Sequence, residues 1–285
     1  MNKLPPDAIE SLKAFLREDI RSGDITTNAM KPLNAEATAT IYSKGKSILA
    51  GIVEAVAIAE FSGLKYEILL YEGNWVDKRE PVMRISGSAK TILSVERVCL
   101  NIIMRMSGIA TMTYNMLKSA RNVNPKVRVA ATRKTTPGFR FFEKRAVKVG
   151  GGDTHRYALD DMVLIKNNHI DVVGGVSEAI RMAREAVSFS KKISCEARTI
   201  QEGLDAAKAG ADIILLDNFK PEDIRRFDTM LKEQGLRDRI LLETSGGIDE
   251  SNIEQYAATG IDIISSGALT HSYISADFNM ITKLN

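Results

Sequence analysis

The chain has 285 residues, with 39 Lys plus Arg against 36 Asp plus Glu and a formal net charge of +3. So balanced a charge lacks the footprint of a nucleic-acid binder, and any basic site must be a local concentration. Apolar residues at 44% and charged residues at 26% suit a globular protein of one large or two ordinary domains, and no run approaches the ~20 apolar residues of a membrane span.

The opening Met1-Asn2-Lys3-Leu4-Pro5-Pro6-Asp7 lacks the apolar core of a signal peptide, so the cytoplasm is the expected compartment. A helix is predicted where Ala8, Ile9, Leu12, Phe15 and Leu16 recur at helical spacing. Thr38 to Tyr42, Tyr66 to Leu70 and Val82 to Ile85 read as strands, with turn residues at Glu72-Gly73-Asn74 and Pro81. Together these predict a small α+β domain. A long helix should follow from Ser94 to Asn122, where Val95, Val98, Ile102, Met106, Ile109 and Thr113 keep a helical step. Gly108 interrupts it and suggests a bend or a close crossing. Cys99 and Cys195 lie in apolar runs and read as buried, inert thiols rather than a disulfide or zinc site.

From residue 125 the pattern changes. Short apolar runs begin at Val127, Met162, Ile193, Ile213, Ile240 and Ile261. Between the later ones lie amphipathic helices: Val176 to Ser188, Ile200 to Ala209, Pro221 to Gln234 and Glu250 to Thr259. Repeated βα units with continuously apolar strands imply a parallel sheet covered by helices. An open doubly wound sheet and a barrel both satisfy that pattern, and the polar residues favour the barrel. Every run ends in a functional tail: Thr132-Arg133-Lys134, Lys166-Asn167-Asn168-His169, Glu196, Asp217-Asn218, Glu243-Thr244-Ser245-Gly246-Gly247 and Ser265-Ser266-Gly267-Ala268. Polar groups at the carboxyl ends of many strands mark a barrel mouth, whereas a doubly wound sheet gathers them at one switch point.

The last two tails suit phosphate, because glycine lets the backbone approach and barrels often bind phosphate after their final strands. Read alone, each could be a tight turn; read as a pair, they point to an anion. Arg133, Lys134 and Lys166 end strands and should face the mouth, where cations without matching acids call for a ligand with several negative charges. Lys144, Arg145 and Lys148 fit a solvated helix face after Pro137-Gly138. Glu196 and Asp217 end neighbouring strands, where they can hold Mg²⁺, accept from sugar hydroxyls or pair with the cations. No two histidines have metal-ligand spacing. His155, beside Arg156, can donate to a carboxylate; His169 could equally be a core histidine; His271 reads as structural.

Thr132 to Gly138, Glu143-Lys144, Gly150-Gly151-Gly152 with His155-Arg156, Leu164-Ile165-Lys166 and Asn168-His169-Ile170 strongly resemble quinolinate phosphoribosyltransferase. So do Glu196, Leu216-Asp217-Asn218, Ser245 to Ile248, Gly267 to Ser272 and, upstream, Glu18-Asp19, Gly23 to Thr27, Glu96-Arg97 and Leu100-Asn101. The resemblance spans nearly the whole chain, with its motifs in one order. It implies an α/β fold of phosphoribosyltransferase type II. An N-terminal α/β sandwich domain would cover residues 1–107 and be rejoined by the tail 275–285. An α/β barrel, which can be open with seven strands, would cover 108–274. It also implies the substrates quinolinate and phosphoribosyl pyrophosphate, with Mg²⁺, in NAD biosynthesis.

By the same resemblance Arg133, His155 and Arg156 would clamp the quinolinate carboxylates, with Thr132, Lys134 and Lys166 nearby. Glu196 and Asp217 would face the ribose and Mg²⁺, directly or indirectly, and with Lys134 and Lys166 form the catalytic set. Ser245, Gly246, Gly247, Ser266, Gly267 and Ala268 would hold phosphate. Arg97 would come from the partner subunit of a homodimer with shared active sites, which can assemble further as a trimer of dimers. Departures are Asp153-Thr154 where many members have Asn, Asn167 for a usual Asp, and Cys195-Glu196-Ala197-Arg198 for a more acidic tail. Asp153 would put negative charge near a dicarboxylate. A related protein with another acceptor, a phosphate-sensing module and a generic sugar-phosphate enzyme are the competing readings.

Overall fold

The computed structural model describes residues 4–30, 33 and 35–285, so Met1 to Lys3 of the opening segment fall outside the described residues. The chain forms two compact units: Met1–Met112 with Pro137–Gly151 and Tyr273–Asn285, and Thr113–Thr136 with Gly152–Ser272. The C-terminal tail groups with the first unit, as does the segment Pro137–Gly151, which lies inside the stretch read as barrel, and the boundary within the long helix falls after Met112.

In chain order the elements begin α1 (Pro6–Ile20), α2 (Ile25–Ala29), β1 (Glu36–Ser43), β2 (Ser47–Ile48), α3 (Ile52–Phe61), β3 (Lys65–Ile68), β4 (Trp75–Val76), β5 (Pro81–Ser88) and α4 (Ala89–Val123). Next come β6 (Arg128–Ala130), α5 (Arg140–Val149), β7 (Val163–Ile165), α6 (Asn167–Val173), α7 (Val176–Ala186), β8 (Ile193–Ala197) and α8 (Ile200–Lys208). The remainder are β9 (Ile213–Asp217), α9 (Pro221–Glu233), β10 (Leu241–Ser245), α10 (Ile253–Ala257), β11 (Ile263–Ser265), α11 (Ala268–His271) and β12 (Phe278–Leu284).

The first unit is built on an antiparallel sheet ordered β12-β1-β5-β3. Along β1, Ala37, Ala39, Ile41 and Ser43 are buried in alternation, as a half-covered strand requires. The tail strand β12 pairs with β1 from Ala37 opposite Leu284 to Ser43 opposite Phe278. Helix α4 passes Gly108 without a break. The glycine serves a close crossing: an added Cβ would lie 2.2 Å from the Ile274 carbonyl oxygen. Nearby, Ala276 N–H donates to the Met104 carbonyl at 3.0 Å.

The expectation that α5 turns a cationic face to solvent holds only for Lys148. Lys144 is fully buried. Arg145 donates to Glu54 at 2.6 and 2.7 Å and to Glu72 at 2.7 and 2.8 Å. Glu72 in turn accepts from Gly51 N–H at 2.6 Å and Val53 N–H at 3.3 Å, which caps the start of α3. Arg145 therefore neutralises a fully buried Glu54 and a carboxylate at a helix N-terminus; removing one partner from such a buried pair costs about 3–5 kcal/mol. On the same helix Glu143, also fully buried, pairs with Arg105.

The second unit holds a parallel sheet ordered β6-β11-β10-β9-β8-β7. The strands follow one another in sequence, except that β6 returns beside β11. Right-handed crossovers all in one direction put every helix on one face, so the sheet must curl into a barrel. Asp153 adds a one-residue seventh strand: it bridges to Ala130 in parallel, its N–H donating to Val129 O at 2.8 Å and its carbonyl accepting from Ala131 at 2.9 Å. No ladder joins Asp153 to β7 among the described residues, so the barrel is open there. At the N-terminal end a device repeats. Asp212 Oδ2 accepts from Ile193 N–H and Arg184, each at 2.8 Å. Asp262 Oδ2 does the same with Leu242 N–H and Arg237, also at 2.8 Å.

Candidate active site

Because the barrel strands are parallel, their carboxyl ends share one rim. Register places Glu196 and Glu243 on either side of Leu215, and Ser245 opposite Asp217. Registered residues and those two positions along point to one face, so Glu196, Glu243, Asp217 and Ser245 all face the same side. Every expected site residue except Arg97 lies at or just beyond this rim. Arg97 is an exposed residue of α4 in the first unit, with no hydrogen bond or ion pair among the described residues.

The cationic pole starts with the loop after β6. Thr132 Oγ1 accepts from Lys134 N–H at 3.0 Å, and the Lys134 carbonyl accepts from Thr270 Oγ1 at 2.7 Å. Arg133 Nε is buried with no hydrogen-bond partner among the described residues. Arg156 is buried, with Nη1 donating to Met162 O at 3.1 Å. Burial first, and the Arg133 charge second, pull the Arg156 guanidinium below its ordinary value. Two guanidinium groups within range of each other make a receptor for a multiply charged anion.

His155 precedes Arg156 in a left-handed conformation, φ 52°. Its N–H donates to Asp153 Oδ1 at 2.8 Å, while Asp153 Oδ2 lies 3.5 Å from Arg128. Asp153 thus sets the turn, and its charge is answered by Arg128. The ring Nδ1 accepts from Arg156 N–H at 2.8 Å, and Nε2 faces Glu243 at 3.2 and 3.3 Å. Sequence reasoning placed Glu243 in a strand tail but gave it no role; only the return of the chain through His155 reveals it.

The acidic pole lies on β8 and β9. Glu196 is buried, and Lys166 Nζ approaches its Oε2 at 3.7 Å. Burial raises the Glu196 carboxyl above its ordinary value, with Lys166 opposing and Asp217 adding to the rise. Asp217 accepts from Ser245 Oγ at 2.9 Å and from Asn218 Nδ2 at 2.8 Å, so both its oxygens are oriented. Two carboxylates offer hard oxygen donors to Mg²⁺, and a cation beside Glu196 would hold it ionised. No group of three or more His, Cys, Asp or Glu side chains that could hold a metal ion occurs among the described residues.

The glycine loops differ in detail. A Cβ on Gly246 would meet Asn218 Oδ1 at 2.2 Å, whereas the position at Gly247 is open. A Cβ on Gly267 would meet His271 Nε2 at 2.8 Å and Lys134 Cδ at 2.9 Å. The N–H groups of Gly246, Gly247 and Gly267 have no partner among the described residues. Ser266 is buried, its Oγ donating to Ile248 O at 2.6 Å and accepting from Ala268 N–H at 3.2 Å. Its hydroxyl, like that of Ser245, is already engaged, which leaves the backbone as the free donor set.

Residues Asn167 to Val173 are helical rather than a strand tail. His169 is exposed rather than a core residue, its Nδ1 accepting from Lys166 N–H at 2.8 Å. His271 is also exposed, with Nδ1 and Ser272 Oγ 2.7 Å apart. Asn167 Oδ1 is buried without a partner among the described residues, and nothing in the structure explains the substitution. Cys195 is buried and its thiol pushed up to about 12, chiefly by burial, which removes it as a nucleophile.

The quinolinate phosphoribosyl transferase family matches through its N-terminal domain at residues 24–107 and its C-terminal domain at 109–281. The chain is 46% identical over 275 residues to the probable nicotinate-nucleotide pyrophosphorylase (carboxylating) of Methanocaldococcus jannaschii, covering 96% of each. To the nicotinate-nucleotide pyrophosphorylase (carboxylating) of Homo sapiens it is 38% identical over 278 residues, covering 97% of this chain and 92% of the other. It superposes on NadC from Streptococcus pyogenes with a TM-score of 0.91 at 37% identity, over 100% of both chains.

Proposed function

The chain belongs to the quinolinate phosphoribosyltransferase family, and from that premise we propose how the tips of its barrel strands divide the work. The enzyme transfers the phosphoribosyl group of phosphoribosyl pyrophosphate to quinolinate with loss of one carboxylate, giving nicotinate mononucleotide, pyrophosphate and CO₂ for NAD synthesis. Arg133 and Arg156 take the quinolinate carboxylates, His155 orients Arg156, and Lys134 and Lys166 serve carboxylate and phosphate oxygens between the poles. The backbone at Gly246, Gly247 and Gly267 takes phosphate, with Ser245, Ser266 and Ala268 shaping those loops. Glu196 and Asp217 accept from the ribose hydroxyls and would hold Mg²⁺, which supplies charge neutralisation for the departing pyrophosphate.

The pyridine nitrogen forms a bond to C1′ as the bond from C1′ to pyrophosphate breaks. The ring nitrogen is then positive, and the carboxylate at C2 leaves as CO₂. Its electron pair stays on C2 beside that charge until a proton is taken up. Positioning and charge stabilisation supply the rate, with no covalent protein intermediate. A second copy of the chain contributes Arg97, so the working form is a homodimer, able to build a trimer of dimers, in the cytoplasm. Arg97, exposed and without a hydrogen bond or ion pair among the described residues, supports that assignment.

The observation that carries this reading is the polar division of one rim: Arg133 and Arg156 at one side, Glu196 and Asp217 at the other. Arg133→Ala should raise the quinolinate KM about tenfold or more, the scale of a lost hydrogen bond between charged groups. The KM for phosphoribosyl pyrophosphate should stay within about a factor of two. Near-normal kinetics with quinolinate would refute the role of Arg133.

A further inference from the structure

We propose that Glu243 is a positioning residue for quinolinate: it fixes the tautomer and orientation of His155 and, through His155, aims Arg156. The inference deepens the reading above and rests on its assignment of Arg133 and Arg156 to the dicarboxylate.

Glu243 is 1% exposed on β10, on the same side of the sheet as Glu196 and Asp217. A carboxylate so buried needs compensating donors. Its only hydrogen-bond partner among the described residues is His155 Nε2. The ring chemistry follows from the other nitrogen. Arg156 N–H donates to His155 Nδ1 at 2.8 Å, so Nδ1 is an acceptor and carries no proton. The imidazole proton therefore sits on Nε2 and is donated to Glu243. Both ring nitrogens are engaged within the protein, and none is left to reach a substrate carboxylate.

His155 thus acts by holding its neighbour. It is pinned at its backbone by Asp153, at Nδ1 by the Arg156 peptide and at Nε2 by Glu243. A left-handed φ at a non-glycine residue is costly and persists where surrounding contacts fix it. The peptide it accepts from belongs to Arg156, whose guanidinium lies within range of the Arg133 charge and of Glu243. The Glu243 carboxylate offsets repulsion between the two guanidinium groups before substrate arrives. Release of Glu243 would let the ring turn, move the Arg156 peptide and misalign one half of the clamp. The nearest neighbours of the Gly246 and Gly267 positions are Asn218, Lys134 and His271 rather than Glu243 or His155, so the effect should fall on one substrate.

The test uses the full chain with Glu243→Ala, Glu243→Gln, His155→Ala, the double variant His155→Ala/Glu243→Ala, and Arg133→Ala as reference. Glu243→Ala should raise the quinolinate KM about tenfold or more with the phosphoribosyl pyrophosphate KM within about twofold. Glu243→Gln, whose amide oxygen still accepts from Nε2, should stay within about threefold of the parent. In the His155→Ala background, loss of Glu243 should add nothing further. Equal shifts of both KM values, no shift in either, a Gln variant as impaired as the Ala variant, or additive losses in the double variant would each overturn the proposal. A measurement on the unaltered protein stands apart from any folding defect: side-chain ¹⁵N resonances should show His155 protonated at Nε2 and bare at Nδ1, and the reverse tautomer would overturn it. Arg133→Ala separates the two levels. If it leaves quinolinate binding normal, the dicarboxylate reading fails and takes the inference with it. If it impairs binding while Glu243→Ala does not, the role of Glu243 alone is wrong.

Discussion

Gly246 and Gly247 are adjacent in the loop after β10, yet a methyl group would meet different surroundings at each. At Gly246, φ is 104° and an added Cβ would lie 2.2 Å from Asn218 Oδ1 and 3.0 Å from Asn218 Cα. At Gly247, φ is 60° and nothing among the described residues lies within 4 Å. Alanine at 247 should therefore cost only left-handed strain, about 1–2 kcal/mol. Alanine at 246 brings about 1–3 kcal/mol of strain and must also displace Asn218, whose Nδ2 donates to Asp217 at 2.8 Å. Losing that bond to a charged group adds about 1.5–3 kcal/mol, for a total of roughly 3–6 kcal/mol. At roughly 2–3 °C per kcal/mol, Gly246→Ala should lower Tm by about 6–18 °C and Gly247→Ala by about 2–6 °C. Scanning calorimetry reads the difference, and pyrophosphate release reads its consequence. Gly246→Ala should also weaken phosphoribosyl pyrophosphate more than Gly247→Ala does, because Asp217 loses one of the two donors that orient it. Equal Tm losses, or an unchanged KM for phosphoribosyl pyrophosphate in Gly246→Ala, would refute the reasoning.

Glu196 gives a pH-dependent expectation. Its carboxyl is raised above the ordinary 4.5, mainly by burial, so its stabilising contribution is full below that value and lost as pH rises through the raised one. Glu196→Gln should therefore melt higher than the parent at pH 8, by a margin that shrinks toward pH ~4.5, while turnover collapses; a margin constant with pH would contradict this. Arg97→Ala and Lys166→Ala should each be inactive. Mixed in equal amounts with subunit exchange, they should regain about a quarter of the parent's sites, since half the dimers are hybrids with one intact site. No recovery, with exchange confirmed, would argue against a shared site.

The barrel was legible because its strands are short apolar runs with polar tails, a pattern that survives without tertiary information. The helix α3 was not read, because Ile52, Ala55, Val56, Ile58 and Ala59 are all buried and such a segment carries no amphipathic period. The helix α5 was read, but its cations were assigned to solvent. Their burial depends on Glu54 and Glu72, far away in sequence, which no local pattern connects to Arg145. The same limit hid Glu243. Its partner, His155, lies 88 residues away, and only the neighbouring SGG loop stood out. Asp153 shows the converse: its sequence position suggested a charge facing the substrate, but its carboxylate turns to Arg128 and the His155 peptide.

The most direct test of the whole account is turnover with the acceptor varied. With phosphoribosyl pyrophosphate and Mg²⁺, quinolinate should yield pyrophosphate and CO₂ in equal amounts, and nicotinate should yield neither. Product from nicotinate with none from quinolinate would contradict the assignment of Arg133 and Arg156 to a dicarboxylate.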